Sequence, residues 1–377
     1  MSNYVKAGQG FIEDAIEIAA EKGERAGISR RDFNRSLLLL AAASALPFGA
    51  GGRAFAAGGS LVLANWGGDA VPAFEKSFGG FDQASGLALK VDGSGPSEGA
   101  LKTQVSSGAV RWDVCDGEMY SSYRLGREQF LAPIDYGIVD KSLIGYGDVH
   151  DFGLANYTYS YVIGYDHERF GKNPPRSWAD FWDVKKYPGK RTLYKWMSAN
   201  LECALLADGV PPEQLYPLDV DRALRKIEQL LPHIATHWST GAESQQLIRD
   251  GEVSLAQMWH TRAELVKNDT AGKIDWSFDG GIVSPSVWMV PKGNPAGAKA
   301  AMDFIAYALR PEVQARLMEV YNMGPVNLKA NELLSTQLQA INPTAPDNLK
   351  KQVSLNNKWH AEHYGETLER YLALIGG

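Results

Sequence analysis

The sequence predicts an α/β fold in two lobes, on three observations. Between residues 60 and 117, short runs rich in branched apolar residues alternate with amphipathic stretches, the pattern of strands feeding helices in a mostly parallel sheet. An extended, alternating stretch at 156–166 then leads out of that region, and the chain continues for another two hundred or so residues. At 377 residues it is also long for one core, since domains commonly hold roughly 100 to 200. An apolar fraction of 45% with 22% charged residues belongs to globular chains and excludes a disordered or fibrous one. Lys and Arg number 38 against 44 Asp and Glu, a net charge of −6 with no long block of one sign, so the basic footprint of a nucleic-acid binder is missing.

The N-terminal stretch reads as an export signal. SRRDFNR at 29–35 precedes the apolar run SLLLLAAASALPF, and Ala54-Phe55-Ala56 offers a small-x-small cleavage site. The run is shorter than the roughly 20 residues a spanning helix needs, which makes a permanent anchor the weaker reading. Arg30-Arg31, with Ser29, Phe33 and Arg35 around it, resembles the twin-arginine export motif; an ordinary signal that happens to hold two arginines is the alternative. Removing residues 1–56 leaves 31 basic and 38 acidic residues, or −7. No cysteine follows the apolar run to take a lipid, and the two cysteines, Cys115 and Cys203, form no framework, so the mature chain relies on its core and is expected free in the periplasm.

Along the mature chain, SLVLANW (60–66) is a buried strand stopped by Gly67-Gly68, followed by a helix over about 72–84. LALKVDG (87–93) and RWDVCDG (111–117) are further strands, separated by a polar loop that runs into a helix. NYTYSYVIGYD (156–166) is the first crossing between lobes. A mostly helical region follows at 174–193, 219–234 and 243–266, the middle segment carrying Ala223, Leu224, Ile227, Leu230 and Leu231 as one stripe. VSPSVWMVPKG (283–293) is a strand, a helical pair broken at Arg310-Pro311 comes next, and YNMGPVN (321–327) is a turn suited to a further crossing. Ligands bind outside the carboxyl ends of parallel strands, which singles out Asn65, Trp66, Gly67 and Asp69, then Asp116, Glu118 and Tyr120.

The order SWADFWDVKKYPGK, SGAESQQLIRDGEVSLAQMWHTRA, WMVPKGNPAGAKAAMDFIAYALRPEVQA resembles periplasmic solute-binding proteins of ABC importers of the spermidine/putrescine-binding type. The likeness runs from about Leu61 to Ile375 and is firmer on family than on ligand, since relatives take polyamines, γ-aminobutyrate and other small solutes. It implies a type II two-lobed fold, with 57–156 plus 282–322 as one lobe and 157–281 plus 323–377 as the other, closing on crossing strands around a solute. It implies a monomer that hands a small molecule to an ABC permease and its ATPase, with no cofactor, no metal and no nucleic acid.

Within that resemblance, Asn65, Trp66 and Gly67 stand at the first strand's end, where the family's Asn-Trp pair lines the cleft; the indole either faces solute or is core. Glu118 and Tyr120 loosely match a polar residue and a Tyr near the ligand, and Asp116 or Glu118 could pair with an ammonium or be solvated at the rim. Trp259 is a wall of the cleft. Arg262 offers a planar fork for a carboxylate, which a polyamine lacks, or else makes a salt bridge between elements. Asp279 falls where relatives hold an amine, or is simply an Asp-Gly turn. Ser286 and Trp288 alternate on a crossing strand, with Tyr321 and Asn322 weaker candidates.

No HExxH, P-loop or EF-hand pattern occurs. His360 and His363, three apart, could share a metal-binding helix face, but a solvent-exposed C-terminal helix is the favoured reading. The expectation is therefore a binding protein for a small amine-bearing solute, γ-aminobutyrate-like or a polyamine, with a ferric-ion carrier or a secreted enzyme on the same fold as alternatives.

Overall fold

The computed structural model describes residues 59–376, so the expected export signal lies outside the described residues. SLVLA folds as β1 (Ser60–Ala64), with Leu61, Leu63 and Ala64 fully buried as a central parallel strand requires. Helix α1 (Ala70–Ser77) follows, but the helix expected over 72–84 is two: Gly79-Gly80 interrupts it, Gly80 at φ 95°, before α2 (Phe81–Ser85). β2 (Ala88–Asp92) and β3 (Val114–Glu118) flank β1 in parallel, with α3 (Glu98–Ser107) between them and α4 (Met119–Arg127) after them.

A short β4 (Val149–His150) leads into β5 (Gly153–Asp166), buried over nearly its whole length. The region expected to be mostly helical proves to be α/β. It holds the strands β6 (Arg191–Tyr194), β7 (Ile234–Trp238) and β8 (Leu255–Trp259), with β6 parallel to both neighbours. At four or five residues each, they are too short for apolar periodicity to separate them from the ends of the adjoining helices. Those helices are α5 (Trp178–Trp182), α6 (Asn200–Ala207), α7 (Val220–Leu230), α8 (Gly241–Arg249) and α9 (His260–Asp269). The chain then runs through β9 (Ile274–Met289), α10 (Ala298–Ala308), α11 (Pro311–Tyr321), β10 (Gly324–Pro325), β11 (Val353–Ser354) and α12 (Asn357–Gly376).

The principal strand order is β2-β1-β3-β9-β5-β8-β6-β7. β9 and β5, of 16 and 14 residues, run antiparallel through the middle; β3 pairs with β9 over Met289 to Ser286, and β8 pairs with the far end of β5 over Tyr161 to Tyr165. Between those ends the β5–β9 register shifts twice, at Ala155/Thr158 and at Tyr161/Ile163. β10 joins at this waist, with Gly324 opposite Thr158 and Pro325 opposite Tyr157. Only a glycine fits at 324, because a Cβ there would lie 2.3 Å from Thr158 Oγ1 and 2.7 Å from Pro343 Cγ. Three segments of chain therefore cross side by side at one place.

His260 ties two of them. Its buried ring accepts the Ser160 backbone N–H on Nδ1 at 3.0 Å, so Nε2 carries the hydrogen and donates to the Asn322 carbonyl at 2.9 Å. Both nitrogens are committed to the neutral ring, and burial pushes its pKa down to about 4. Between that value and an unfolded value near 6.5 the unfolded chain binds a proton that the native one does not, so this contribution is whole above pH 6.5 and is lost as pH falls toward 4, by roughly 3 kcal/mol. Urea unfolding of the wild type is expected to weaken over that window more steeply than unfolding of His260→Gln.

Candidate functional site

A cleft of about 410 Å³ opens at the waist, where the carboxyl ends of strands from both halves of the sheet converge. One side is built by the β1–α1 connection, Trp66 to Ala70, and by Asp116 and Glu118 at the end of β3. The other is built by Tyr194 and Trp196, by Ser239 to Ala242 ahead of and into α8, and by Trp259, Thr261 and Arg262 at the β8–α9 junction. Tyr157, Tyr159, Ser286, Tyr321 and Met323 come from the crossing segments between them.

The first side presents the acids. Asp116 is buried and accepts hydrogen bonds from Ser286 Oγ at 2.7 Å, the Tyr157 hydroxyl at 2.8 Å and Asn156 Nδ2 at 3.1 Å. Burial raises its pKa to about 6 against the pull of those donors. Glu118 accepts from the Tyr159 hydroxyl at 2.5 Å, and burial, helped by the charge of Asp116, raises it to about 7 despite that bond. An ammonium arriving here would gain two carboxylates that water no longer solvates. Trp66, 47% exposed at the mouth, is presented by a tight turn: Asn65 Oδ1 accepts the Gly67 N–H at 2.9 Å, and Gly67 sits at φ 74° against the Gly93 carbonyl, where a Cβ would come within 2.5 Å.

The opposite side presents the cation and backbone donors. Arg262 is only 8% exposed, its guanidinium lies 5.1 Å from the centroid of the Tyr321 ring, and its Nη1 is 3.0 Å from Asp69 Oδ2 across the cleft. Gly241 leaves room for it, since a Cβ at that position would stand 2.5 Å from Nε. Gly241 and Ala242 open α8, whose first N–H groups have no partner within the helix, so the helix end adds positive potential beside Arg262. Trp259 packs edge-on against Trp238 with ring centroids 5.0 Å apart and near Tyr194 at 5.7 Å, which fixes an aromatic wall.

Of the residues singled out from sequence, Trp66, Gly67, Asp69, Asp116, Glu118, Trp259, Arg262, Ser286 and Tyr321 line the cleft. Asn65 stands behind it as the turn's acceptor. Tyr120 does not reach it: the ring stacks on Tyr364 of α12 at 5.1 Å and its hydroxyl accepts from Ser198. Trp288 shares the Ser286 side of β9 but lies deeper, in the core against Phe74, Phe78 and Phe304. Asp279 meets neither expectation: it lies outside the cleft and inside β9, in the stretch where the register with β5 is irregular and Gly280 takes φ 76°, and its carboxylate is held at 2.6 Å by Arg176. Both readings of Arg262 meet in one place, since it faces the cleft and is ion-paired. Tyr157, Tyr159, Tyr194, Trp196 and Thr240 escaped the sequence reading; the alternation in YTYSY was the available signal for the first two.

His360 is not on a solvent-exposed face. It is fully buried, 2.6 Å from Glu202 Oε1, and the described residues hold no group of three or more His, Cys, Asp or Glu placed to bind a metal. Cys115 and Cys203 are both free and buried. Two patterns that suggest a catalytic serine fail on geometry. Gly95-Pro96-Ser97-Glu98-Gly99 has G-x-S-x-G spacing, but Ser97 is the exposed N-cap of α3 and accepts from Ala100 N–H. His150 Nε2 lies 2.8 Å from Ser122 Oγ, yet Nδ1 accepts the Phe152 N–H, so the ring gives Ser122 a proton donor rather than a base.

Residues 70–345 match the family described as bacterial extracellular solute-binding protein. The chain belongs to this family. It is 34% identical over 320 residues, 82% of its own length and 89% of the other's, to the gamma-aminobutyric acid-binding protein of Pseudomonas aeruginosa. It is 25% identical to the spermidine/putrescine-binding periplasmic protein of Escherichia coli over 56% of this chain and 59% of that one. A solved structure of the Atu4243 GABA receptor superposes with a TM-score of 0.77 at 34% identity, over 84% of this chain and 97% of that one. The fold is that of two-lobed periplasmic binding proteins, and this solute-binding protein is not an enzyme.

With its pKa raised, Glu118 would pair with an amine in a pH-dependent way. A cation is held by the carboxylate and not by the acid, so affinity should improve as pH rises through about 7, by up to roughly tenfold per unit below that value. Calorimetric titrations with an amine solute at successive pH values are expected to show proton release on binding, and Glu118→Gln is expected to flatten the profile and weaken binding.

Proposed function

We propose that this chain is the periplasmic receptor of an ABC importer and that it captures a short zwitterion of the γ-aminobutyrate class. The observation that carries the reading is the charge layout of one cleft: half-buried Glu118 and buried Asp116 on one side, buried Arg262 with the start of α8 on the other, and aromatic rings between them. A zwitterion has one pole for each. The binding of γ-aminobutyrate by relatives 34% identical to this chain supports it.

The receptor works by closing. We read the lobes as dividing at the waist with the three crossing segments as the hinge; residues 326–333, expected in the second lobe, pack on α11 of the first, where the Val326 N–H donates to Gln314 Oε1 at 3.0 Å. A closed cleft removes water from both poles, which strengthens each charge contact. The loaded monomer then docks on its permease, whose ATPase drives release. The export signal at 1–56 delivers the chain to that compartment.

A polyamine is the second reading, because Asp69, Asp116 and Glu118 give the cleft three carboxylates against one guanidinium. A thermal-shift panel separates the two: γ-aminobutyrate at about a thousand times its dissociation constant should add roughly 4 kcal/mol to stability. Arg262→Ala should then cost about 2 to 4 kcal/mol of binding, a loss of about thirtyfold or more. A shift by putrescine and spermidine alone, undiminished in Arg262→Ala, would assign recognition to the carboxylates.

A further inference from the structure

We propose that Asp69 is a built-in competitor for the solute's carboxylate: in the empty receptor it occupies the guanidinium of Arg262, and the solute must displace it. This rests on the reading of Arg262 as the carboxylate anchor and adds a residue that sets how strongly that anchor holds.

The two partners are unequal. Arg262 is nearly buried, whereas the Asp69 side chain is 69% exposed. They come from opposite sides of the central strands, Asp69 from the β1–α1 connection and Arg262 from the start of α9, so their 3.0 Å contact spans the cleft. Asp69 stands at the N-cap of α1, a position where an aspartate commonly accepts a backbone N–H, yet it makes no such bond. Its carboxylate is directed at Arg262 instead. The turn that carries it is fixed, but the side chain, exposed and capping nothing, can leave Arg262 by rotation about its own bonds.

A guanidinium without a counter-ion is costly in so enclosed a place, and Asp69 supplies that counter-ion while no solute is present. It does so poorly, because its own carboxylate remains largely in water and holds Arg262 through one nitrogen. A solute carboxylate brought deep into the cleft could take two parallel bonds and be more fully desolvated. The exchange subtracts the Asp69 contact from every carboxylate ligand's affinity and nothing from a ligand that lacks a carboxylate. Asp69 thereby tunes affinity for zwitterions specifically, and it favours solutes able to outcompete it over weak anions that cannot.

The test is titration calorimetry on wild type and Asp69→Asn with γ-aminobutyrate, butyrate and n-butylamine. Asn keeps the size of the side chain and removes its charge; the position is exposed and caps nothing, so the fold is retained. The proposal expects γ-aminobutyrate to bind Asp69→Asn about three- to tenfold more tightly. Butyrate should gain by a similar factor and n-butylamine should not gain. Wild type that binds γ-aminobutyrate while Asp69→Asn binds it equally or more weakly overturns the proposal and leaves the anchor reading standing. Wild type that binds n-butylamine or putrescine but no carboxylate overturns both, with Arg262 and Asp69 then a fixed strut across the cleft.

Discussion

Everything in this protein depends on a waist where three stretches of chain must pass within hydrogen-bond reach. β5, β9 and β10 meet around Thr158, Ser284–Pro285 and Gly324, and that contact leaves no space for a side chain at 324. Because the long strands run on from there in both directions, the parallel strands on either flank end facing the same gap. The cleft is a consequence of connectivity before it is a consequence of any side chain. His260, locked as a neutral ring between Ser160 and Asn322, holds the crossing together two residues ahead of Arg262.

Burial then gives the gap its chemistry. Glu118 and Asp116 are driven toward neutrality by loss of water, while hydroxyl and amide donors pull them back toward the charged form. Such groups are poised to ionise fully when a cation arrives, and their binding energy is realised in the complex. On the other side the Arg262 guanidinium, in a nearly dry position, lies against the Tyr321 ring and is ion-paired with Asp69. The aromatic walls supply shape and a low local dielectric, and the opposed charges supply orientation.

Much of this was legible in the sequence, and the limits of legibility have physical causes. The strand-end rule found Trp66, Gly67 and Glu118, because a parallel strand must deliver its last residues to the ligand face. The three crossings were marked by alternation or by Gly-Pro-Asn turns. The strands β6, β7 and β8 were hidden, since four or five residues flanked by strong helices carry too little period to be told apart. Trp288 is misplaced because alternation says which face a residue shares but not how far along the face a covering helix begins; Tyr120 is misplaced because the strand ends at Glu118 and α4 turns the ring onto Tyr364 of α12. Asp279-Gly280 carries a turn signal that the fold absorbs as an irregularity inside the long strand β9, where pairing with β5 on both sides keeps the chain extended. The sequence places His360 on the surface because its polar helix gives no sign of Glu202, which lies far away in sequence and is met only through the fold.

Two fixed, opposite poles are proposed to define the ligand. Calorimetry over ω-amino acids of increasing chain length, from glycine through β-alanine and γ-aminobutyrate to 5-aminopentanoate, tests it most directly. A sharp optimum at one length is expected, with affinity falling on either side because a rigidly spaced pair of anchors cannot both be reached. A flat series, or binding of n-butylamine as tight as the best ω-amino acid, would contradict it and reduce the site to a single cation-binding pole.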